Sequence, residues 1–187
     1  MKRSVFPIAV WVIVVFAGFS TTALAQSAQP YSGMQSRPIK ALSDQQVADL
    51  RAGRGMGLAL AAELNGYPGP RHLVELSDQL ALTPEQLSKL KSMFDAMKAE
   101  TIPIGENLVA QEEKLDQLFA ENLISEQQLK AATEDIGETQ ARLRNAHLRY
   151  HLQARVILQP SQIRRYAELR GYGAQPQVPA HHKHNQE

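Results

Sequence analysis

The residues of this 187-residue chain whose type and spacing could support chemistry are histidines. His147 and His151 are four positions apart, so on a helix both imidazoles project from one side and could share a metal ion. Two ligands are too few for a closed site, so a carboxylate, a third histidine or a second copy of the chain would have to complete it. The alternative is that His147 packs on an apolar seam and His151 is its surface neighbour. His72 is expected to be a surface or packing residue.

Three further histidines, His181, His182 and His184, lie in a C-terminal segment rich in Gln, Pro and His, over 173–187. Tracts of this composition can bind transition metals weakly. A solvated tail without a binding role has the same composition. Zinc or another transition metal is therefore the candidate ligand of both histidine groups, and we expect no required cofactor.

Several classes of function are excluded by what the sequence lacks. There is no cysteine, which rules out thiol catalysis, thiolate metal sites and disulfides. The sequence also contains no phosphate-binding glycine loop of the Walker type, no Gly-x-Ser-x-Gly elbow and no His-Glu-x-x-His motif. We therefore expect a binding protein rather than an enzyme.

The first 25 residues resemble a cleavable secretory signal peptide. Lys2 and Arg3 precede an uncharged apolar run over 5–19, and an Ala-x-Ala site follows that ends at Ala25. An uncleaved membrane anchor is the alternative, but a spanning helix needs about 20 apolar residues and this run is shorter. We predict cleavage between Ala25 and Gln26, a periplasmic location, and no stable membrane span afterwards.

Charge is nearly balanced overall but unevenly distributed. Loss of Lys2 and Arg3 reduces the basic residues from 20 to 18, against 19 acidic ones, so nucleic acid is not an expected partner. Ten acidic residues lie within 100–138, and seven arginines lie within 142–170. This segregation favours an antiparallel homodimer in which the acidic end of one copy meets the basic end of the other. For any single charged residue, the alternative is a solvated position with a local ion pair. The arginines predicted to bind acidic clients or partners are Arg142, Arg149, Arg155, Arg164 and Arg165.

The elements that must position these side chains are helices. We predict a flexible N-terminal arm over 26–42, a helical domain over 43–172 and a disordered tail over 173–187. The domain has five predicted helical segments. The first extends over about 43–66, or is broken near Gly53. A short second helix follows a Pro/Gly turn, then come two long helices and a short fifth helix that stops at Gly171. Ser43, Thr83 and Ser125 are predicted N-caps, each followed three residues later by glutamine.

The two long helices carry apolar seams with coiled-coil-like spacing. The first seam is Leu87, Leu90, Phe94, Met97, Thr101, Ile104, Leu108, Gln111, Leu115 and Leu118, and the second is Leu129, Ala132, Ile136, Gln140, Leu143, His147, Tyr150, Ala154 and Ile157. Pro103 lies inside the first and is expected to kink its helix. Two such seams joined by a short turn predict an all-α fold, a long antiparallel helical hairpin with shorter flanking helices.

A short motif occurs at both ends of this hairpin. Leu-Thr-x-x-Gln stands at 82–86 and Leu-Gln-x-x-Gln at 158–162, each at a helix start, and the motif residues are Leu82, Thr83, Pro84, Gln86, Leu158, Pro160 and Gln162. We interpret them as structural. On an exported helical chain of this size, the pair resembles the Spy/CpxP family of periplasmic stress proteins, also called LTxxQ-motif proteins, which is related to the metal-responsive ZraP and CnrX proteins. Gln159 departs from the family's threonine and should weaken that helix start by about 1 kcal/mol.

The resemblance implies a hooked four- to five-helix hairpin that often pairs into a cradle-shaped dimer. It implies an ATP-independent holdase chaperone for unfolded periplasmic or outer-membrane proteins. Two alternatives follow from related proteins. One is a periplasmic protein that binds or senses a heavy metal of the zinc, copper or nickel class, and the other is an adaptor of an envelope sensor kinase.

Overall fold

The computed structural model describes residues 29–172 of the chain. The chain divides into two compact units, Met1–Ser32 and Gly33–Glu187. Of the first unit only 29–32 are described, and they form a turn in which the Ser32 N–H donates to the Gln29 carbonyl at 2.9 Å. The predicted signal peptide and the predicted tail over 173–187 therefore lie outside the described residues.

The described part of the second unit is helical, which confirms the all-α prediction. A single 3₁₀ turn, Met34–Ser36, precedes six helices: α1 Asp44–Arg51, α2 Leu60–Glu63, α3 Pro70–Glu75, α4 Pro84–Ala120, α5 Glu126–Ile157 and α6 Pro160–Leu169. The long helices α4 and α5 run antiparallel. Asn107 donates to the Thr139 hydroxyl at 3.3 Å, and nearer the open end Arg149 pairs with Glu100.

The starts of α1, α4 and α5 lie where the capping residues predict. At Ser43, Thr83 and Ser125 the side-chain oxygen accepts the backbone N–H of the third helical residue, which is a glutamine each time. That glutamine in turn accepts the backbone N–H of the cap at 2.9–3.0 Å. Reciprocal capping satisfies donors that a helix start otherwise leaves without partners, so local sequence fixes these three boundaries.

The first predicted helix is broken, which corresponds to the alternative with a break near Gly53. Helix α1 ends at Arg51, and the next residues take left-handed backbone angles, with φ +63° at Gly53, +42° at Met56 and +83° at Gly57. A Cβ at Gly53 would stand 2.7 Å from the Thr101 hydroxyl. Glycine is therefore needed at this position both for its conformation and for the close approach of the loop to α4.

Two clusters of buried side chains form the core. The first, between the hairpin and the α1 region, contains Ile39, Leu50, Ile104, Leu108, Val109, Ile136, Leu143 and Ala146. The second, at the open end, contains Leu73, Leu80, Leu90, Ala154, Leu158 and Tyr166. Burial of each large apolar side chain stabilises the fold by about 1.5–3 kcal/mol, so the short flanking elements are held mainly by these contacts.

The predicted flexible arm over 26–42 needs a correction in its second half. Ile39 is only 7% exposed and belongs to the first core cluster. The neighbouring Lys40 pairs with Asp116 at 3.0 Å. This anchoring comes from one apolar side chain and one ion pair, neither of which produces a periodic pattern, so no helical or strand pattern marks this segment.

One detail of the predicted seams changes. On α5 Thr139 is buried whereas Gln140 is exposed, so the seam passes one residue earlier than predicted at this turn. On α4 the helix is continuous through Pro103, and the nearby Thr101 hydroxyl donates to the Met97 carbonyl at 2.8 Å. Within residues 29–172, no helix combines the length and apolar character that crossing a membrane requires.

Candidate functional site

A cavity of about 630 Å³ lies beside the glycine-rich loop that follows α1. Its wall is built from that loop, from α2 and the start of α3, from one turn of α4, from α5 and from the segment after α6. His147 and His151, the pair singled out by their spacing, both line it. The cavity therefore brings these two predicted metal ligands together with segments that lie far from them in sequence.

His147 is buried, with only 2% of its surface exposed, and its Nε2 has no hydrogen-bond partner. A Cβ at Gly55 would lie 3.5 Å from Nδ1, so the glycine loop packs directly against the ring. Burial lowers the pKa of His147, and the charge of the neighbouring His151 lowers it further. A neutral imidazole keeps one nitrogen lone pair, which is the form that binds a metal ion.

His151 is oriented by a backbone carbonyl. Its Nδ1 lies 2.7 Å from the carbonyl oxygen of Tyr67, and because a carbonyl only accepts, Nδ1 must carry the proton. In the neutral ring the lone pair is then on Nε2. Gly69 closes over this edge, since a Cβ there would stand 2.8 Å from Nε2. A histidine held by its other nitrogen is the arrangement typical of metal ligands.

His151 is also buried, at 9% exposure, so the interpretation of it as a surface neighbour is wrong. Its Nδ1 lies 3.7 Å from Glu63 Oε2. The i,i+4 spacing predicted the correct side of the helix for this residue. It did not predict that His151 is buried, because this burial depends on the turn before α3, which covers the ring.

Glu63 is a buried residue of the cavity wall that the sequence did not single out. This buried carboxylate accepts the phenol O–H of Tyr166, and that of Tyr172 at 3.2 Å, and it lies 3.6 Å from the Arg170 guanidinium. Burial and the hydrogen bond to Glu63 raise the pKa of Tyr166 above its ordinary range. The only sequence feature that marks Glu63 is its charge within an apolar helical segment. That feature does not identify its partners, which lie about a hundred residues away.

The described residues contain no group of three His, Asp or Glu side chains placed to hold a metal ion. His72 also lines the cavity, but its Nδ1 is engaged by Glu75 at 2.9 Å. The two imidazoles of α5 thus fit a transition metal, because they are nitrogen donors that are buried and partly without hydrogen-bond partners. Two ligands alone form an incomplete set. The other predicted ligands, His181, His182 and His184, lie outside the described residues.

The five arginines predicted to bind clients do not form one free surface. Three of them are engaged within the chain. These are Arg149 with Glu100, Arg155 with the Gly66 carbonyl and the Tyr67 ring, and Arg165 with Glu168. Arg142 and Arg164 are exposed.

The motif residues lie at the open end of the hairpin. Leu158 is buried in the second core cluster, and Leu82 packs against it. Pro84 and Pro160 occupy the first helical position of α4 and α6. Gln159 makes no side-chain cap hydrogen bond, and its backbone N–H is accepted by Gln162 at 2.9 Å.

Comparison with known families gives the site a context. Residues 55–165 match the family model described as heavy-metal resistance, and this is more than half of the chain. The chain belongs to the heavy-metal resistance family. In the comparisons with curated proteins and with solved structures, nothing matched. The region shared with the heavy-metal resistance family includes Gly55, Glu63, Gly69 and both histidines of α5, and it ends before Tyr172.

Proposed function

We propose that this protein binds a transition-metal ion in the bacterial envelope, as a buffer or sensor in heavy-metal resistance. The observation that carries the proposal is the buried pair on α5. His147 presents a nitrogen without a partner, and His151 is fixed by the Tyr67 carbonyl with its Nε2 lone pair available. Membership of the heavy-metal resistance family supports the same function.

The chemistry of the donors limits the class of metal. Imidazole nitrogen suits zinc, copper and nickel, whereas calcium and magnesium prefer oxygen ligands. Neutral rings are required, and the burial that lowers the pKa of His147 keeps that ring neutral at physiological pH. Metal binding should therefore weaken steeply in acid as the imidazoles become protonated.

The location and the finer family assignment belong to this proposal. We place the mature protein in the periplasm after cleavage between Ala25 and Gln26, which N-terminal sequencing of the protein from a periplasmic fraction would test. The two glutamine motifs, which meet at the open end of the hairpin and not at its two ends, support membership of the LTxxQ group. The proposed protein is a binding protein without catalytic activity.

Isothermal titration of the metal-free mature chain with zinc, copper(II) and nickel tests the proposal. We expect one site in which His147→Ala or His151→Ala lowers the affinity at least tenfold. His72→Ala is the matched control, since this histidine is held by Glu75. Circular dichroism verifies that each variant is folded, and cobalt(II) absorption in the folded variants reports directly on imidazole coordination. Absence of binding by the unmodified chain would refute the proposal.

A second candidate function, holdase-type chaperone activity, is favoured by exposed apolar side chains at the hairpin tip. Phe119 and Leu123 are 54% and 61% exposed, next to the turn between α4 and α5. Patches of this kind can bind unfolded chains. A cradle-shaped homodimer belongs to this second candidate, and an adaptor of an envelope sensor kinase without chaperone activity is a separate alternative.

Light scattering of an aggregating client, with and without zinc, tests the chaperone function. We expect Phe119→Ser with Leu123→Ser to reduce suppression of aggregation. Leu152→Ser is the control because it is equally exposed on α5 but far from the tip. Lack of suppression by the unmodified protein at stoichiometric amounts would leave metal binding as the only function supported.

A further inference from the structure

The wall of the histidine cavity also contains two methionines. Met97 on α4 and Met56 in the glycine-rich loop line the same cavity as His147 and His151. The thioether of methionine is a soft sulfur donor, and soft donors select copper(I) over the harder divalent ions. The cavity therefore offers a second type of metal donor, which the spacing of the histidines does not reveal.

Met97 is buried beside the histidines, with only 6% of its surface exposed. Glu100, one turn later on α4, contacts Arg149 and Tyr150 of α5. Because the two helices run antiparallel, Met97 lies at the level of His151. The helix register thus places one thioether of the wall opposite the proposed ligands.

Met56 is brought to the cavity by the loop that packs on His147. The preceding residue, Gly55, lies directly against this ring, since a Cβ there would stand 3.5 Å from Nδ1. Met56 has φ +42° and is 41% exposed, so its side chain is less tightly packed than that of Met97. Methionine is unbranched and has three rotatable side-chain bonds, so this thioether can turn toward the histidines without movement of the backbone.

The other metal-binding side chains of the wall are already engaged. Glu63 accepts two phenol O–H groups and the Gly69 N–H, the last at 3.2 Å. Asp49 forms an ion pair with an arginine, and His72 is held by Glu75. The donors that remain in the described part of the wall are therefore the two imidazoles of α5 and the two thioethers.

The charge of this donor set favours a monovalent ion. Imidazole and thioether are both neutral, so a bound ion keeps its full charge in a cavity whose carboxylates are paired with other groups. The free energy needed to move an ion out of water rises with the square of its charge, and is about four times larger for a divalent ion than for a monovalent one. Copper(I) combines the single charge with the preference for soft ligands.

We propose that the cavity is a copper(I) site whose ligands are His147, His151, Met97 and Met56. This inference rests on the proposed metal-binding function and specifies its metal and its missing ligands. Two nitrogen and two sulfur donors make the four ligands of a closed tetrahedral site. Zinc and nickel bind at the same place more weakly, through the imidazoles alone.

Competition with the chromogenic copper(I) chelator bicinchoninate, without oxygen and with ascorbate, measures the copper(I) affinity of the metal-free mature chain. Met97→Leu should lower this affinity by at least about tenfold, since even the partners of metal ligands contribute that much. It should leave the zinc affinity unchanged. Leucine has nearly the volume of methionine, so the core is retained. Met93→Leu is the matched control, because Met93 packs on the second core cluster and does not line the cavity.

Met56→Gly separates the loss of a ligand from a loss of stability. Glycine is favoured at the positive φ of this position, so the variant should resist urea at least as well as the unmodified chain. Its copper(I) affinity should nevertheless fall, because the second thioether is gone. Retention of the full affinity in this variant would remove Met56 from the site.

A second readout does not depend on affinity. X-ray absorption at the copper edge should show sulfur neighbours in the unmodified chain and fewer of them in Met97→Leu. Coordination without sulfur, or equal copper(I) affinity of the unmodified chain and Met97→Leu, would overturn the copper(I) site and leave metal binding by the histidines intact. If the unmodified chain binds neither copper(I) nor any of the divalent ions, the proposed function itself fails.

Discussion

The side-chain amides of Gln86 and Gln162 hydrogen-bond to each other twice. Gln86 Nε2 donates to Gln162 Oε1 at 2.9 Å, and Gln162 Nε2 donates to Gln86 Oε1 at 3.0 Å. Each oxygen also accepts the backbone N–H at its own helix start, from Thr83 and from Gln159. The two copies of the motif thus act as one unit that joins the beginnings of α4 and α6.

This reciprocity predicts strong coupling between the two glutamines. Gln86→Ala and Gln162→Ala should each destabilise the fold by about 1–3 kcal/mol, because a partly buried amide loses its partner. The double variant should cost less than the two separate effects together, since either change alone already breaks the pair. Urea denaturation of the four proteins measures this.

Gln128→Ala is the matched control for that cycle. Gln128 forms the same capping box with Ser125, but at the exposed start of α5. We expect a loss of about 1 kcal/mol, the value of a cap. If the effects of Gln86→Ala and Gln162→Ala were additive, the joined-motif interpretation would be wrong.

The buried His147 predicts a pH dependence of stability. Its pKa is lowered in the folded state by burial, so the unfolded chain, with a histidine pKa of about 6.5, binds more protons in mild acid. The stability contributed by the neutral ring is complete above about pH 6.5 and declines as the pH falls below that value. Denaturation of the metal-free protein at a series of pH values should show this decline, and His147→Leu should flatten it.

The close contact of Gly69 with His151 predicts a steric effect on metal binding. Gly69 has φ −79° and ψ 148°, which alanine adopts readily, so Gly69→Ala introduces no backbone strain. The new methyl group would collide with the ring, since the Cβ position lies 2.8 Å from Nε2. We expect zinc affinity to fall at least tenfold in calorimetry. An unchanged affinity would show that Nε2 of His151 does not bind the metal.

Two glycines within helices predict opposite effects on stability. A Cβ at Gly105 would stand 2.5 Å from the Leu50 carbonyl oxygen, whereas a Cβ at Gly137 has no neighbour within 4 Å. Gly105→Ala should destabilise the protein by about 1–3 kcal/mol, because backbone must move where α1 crosses α4. Gly137→Ala should stabilise it by about 0.5–1 kcal/mol through helix propensity alone. Thermal denaturation of both variants separates the two effects.

Local signals predicted the helix starts better than they predicted the site. Ser43, Thr83 and Ser125 cap helices through residues only three positions away, so the sequence contains the whole interaction. The buried state of His151 and the partners of Glu63 depend on segments 84 to 109 residues away, which no local pattern encodes. The same reason explains Ile39, whose burial depends on side chains of α4 and α5.

The turn at the hairpin tip has a consequence for the order of folding. Asn122, with φ +56°, reverses the chain between α4 and α5, and the Leu123 N–H returns to the Leu118 carbonyl, so this contact closes a very short loop. The glutamine pair closes a loop of 76 residues. Because short loops lose less entropy on closing, we expect the contacts between α4 and α5 to form first at the hairpin tip. The glutamine pair should form last. The histidine cavity lies toward that late end, and its amides should therefore exchange hydrogen sooner than those of the hairpin middle.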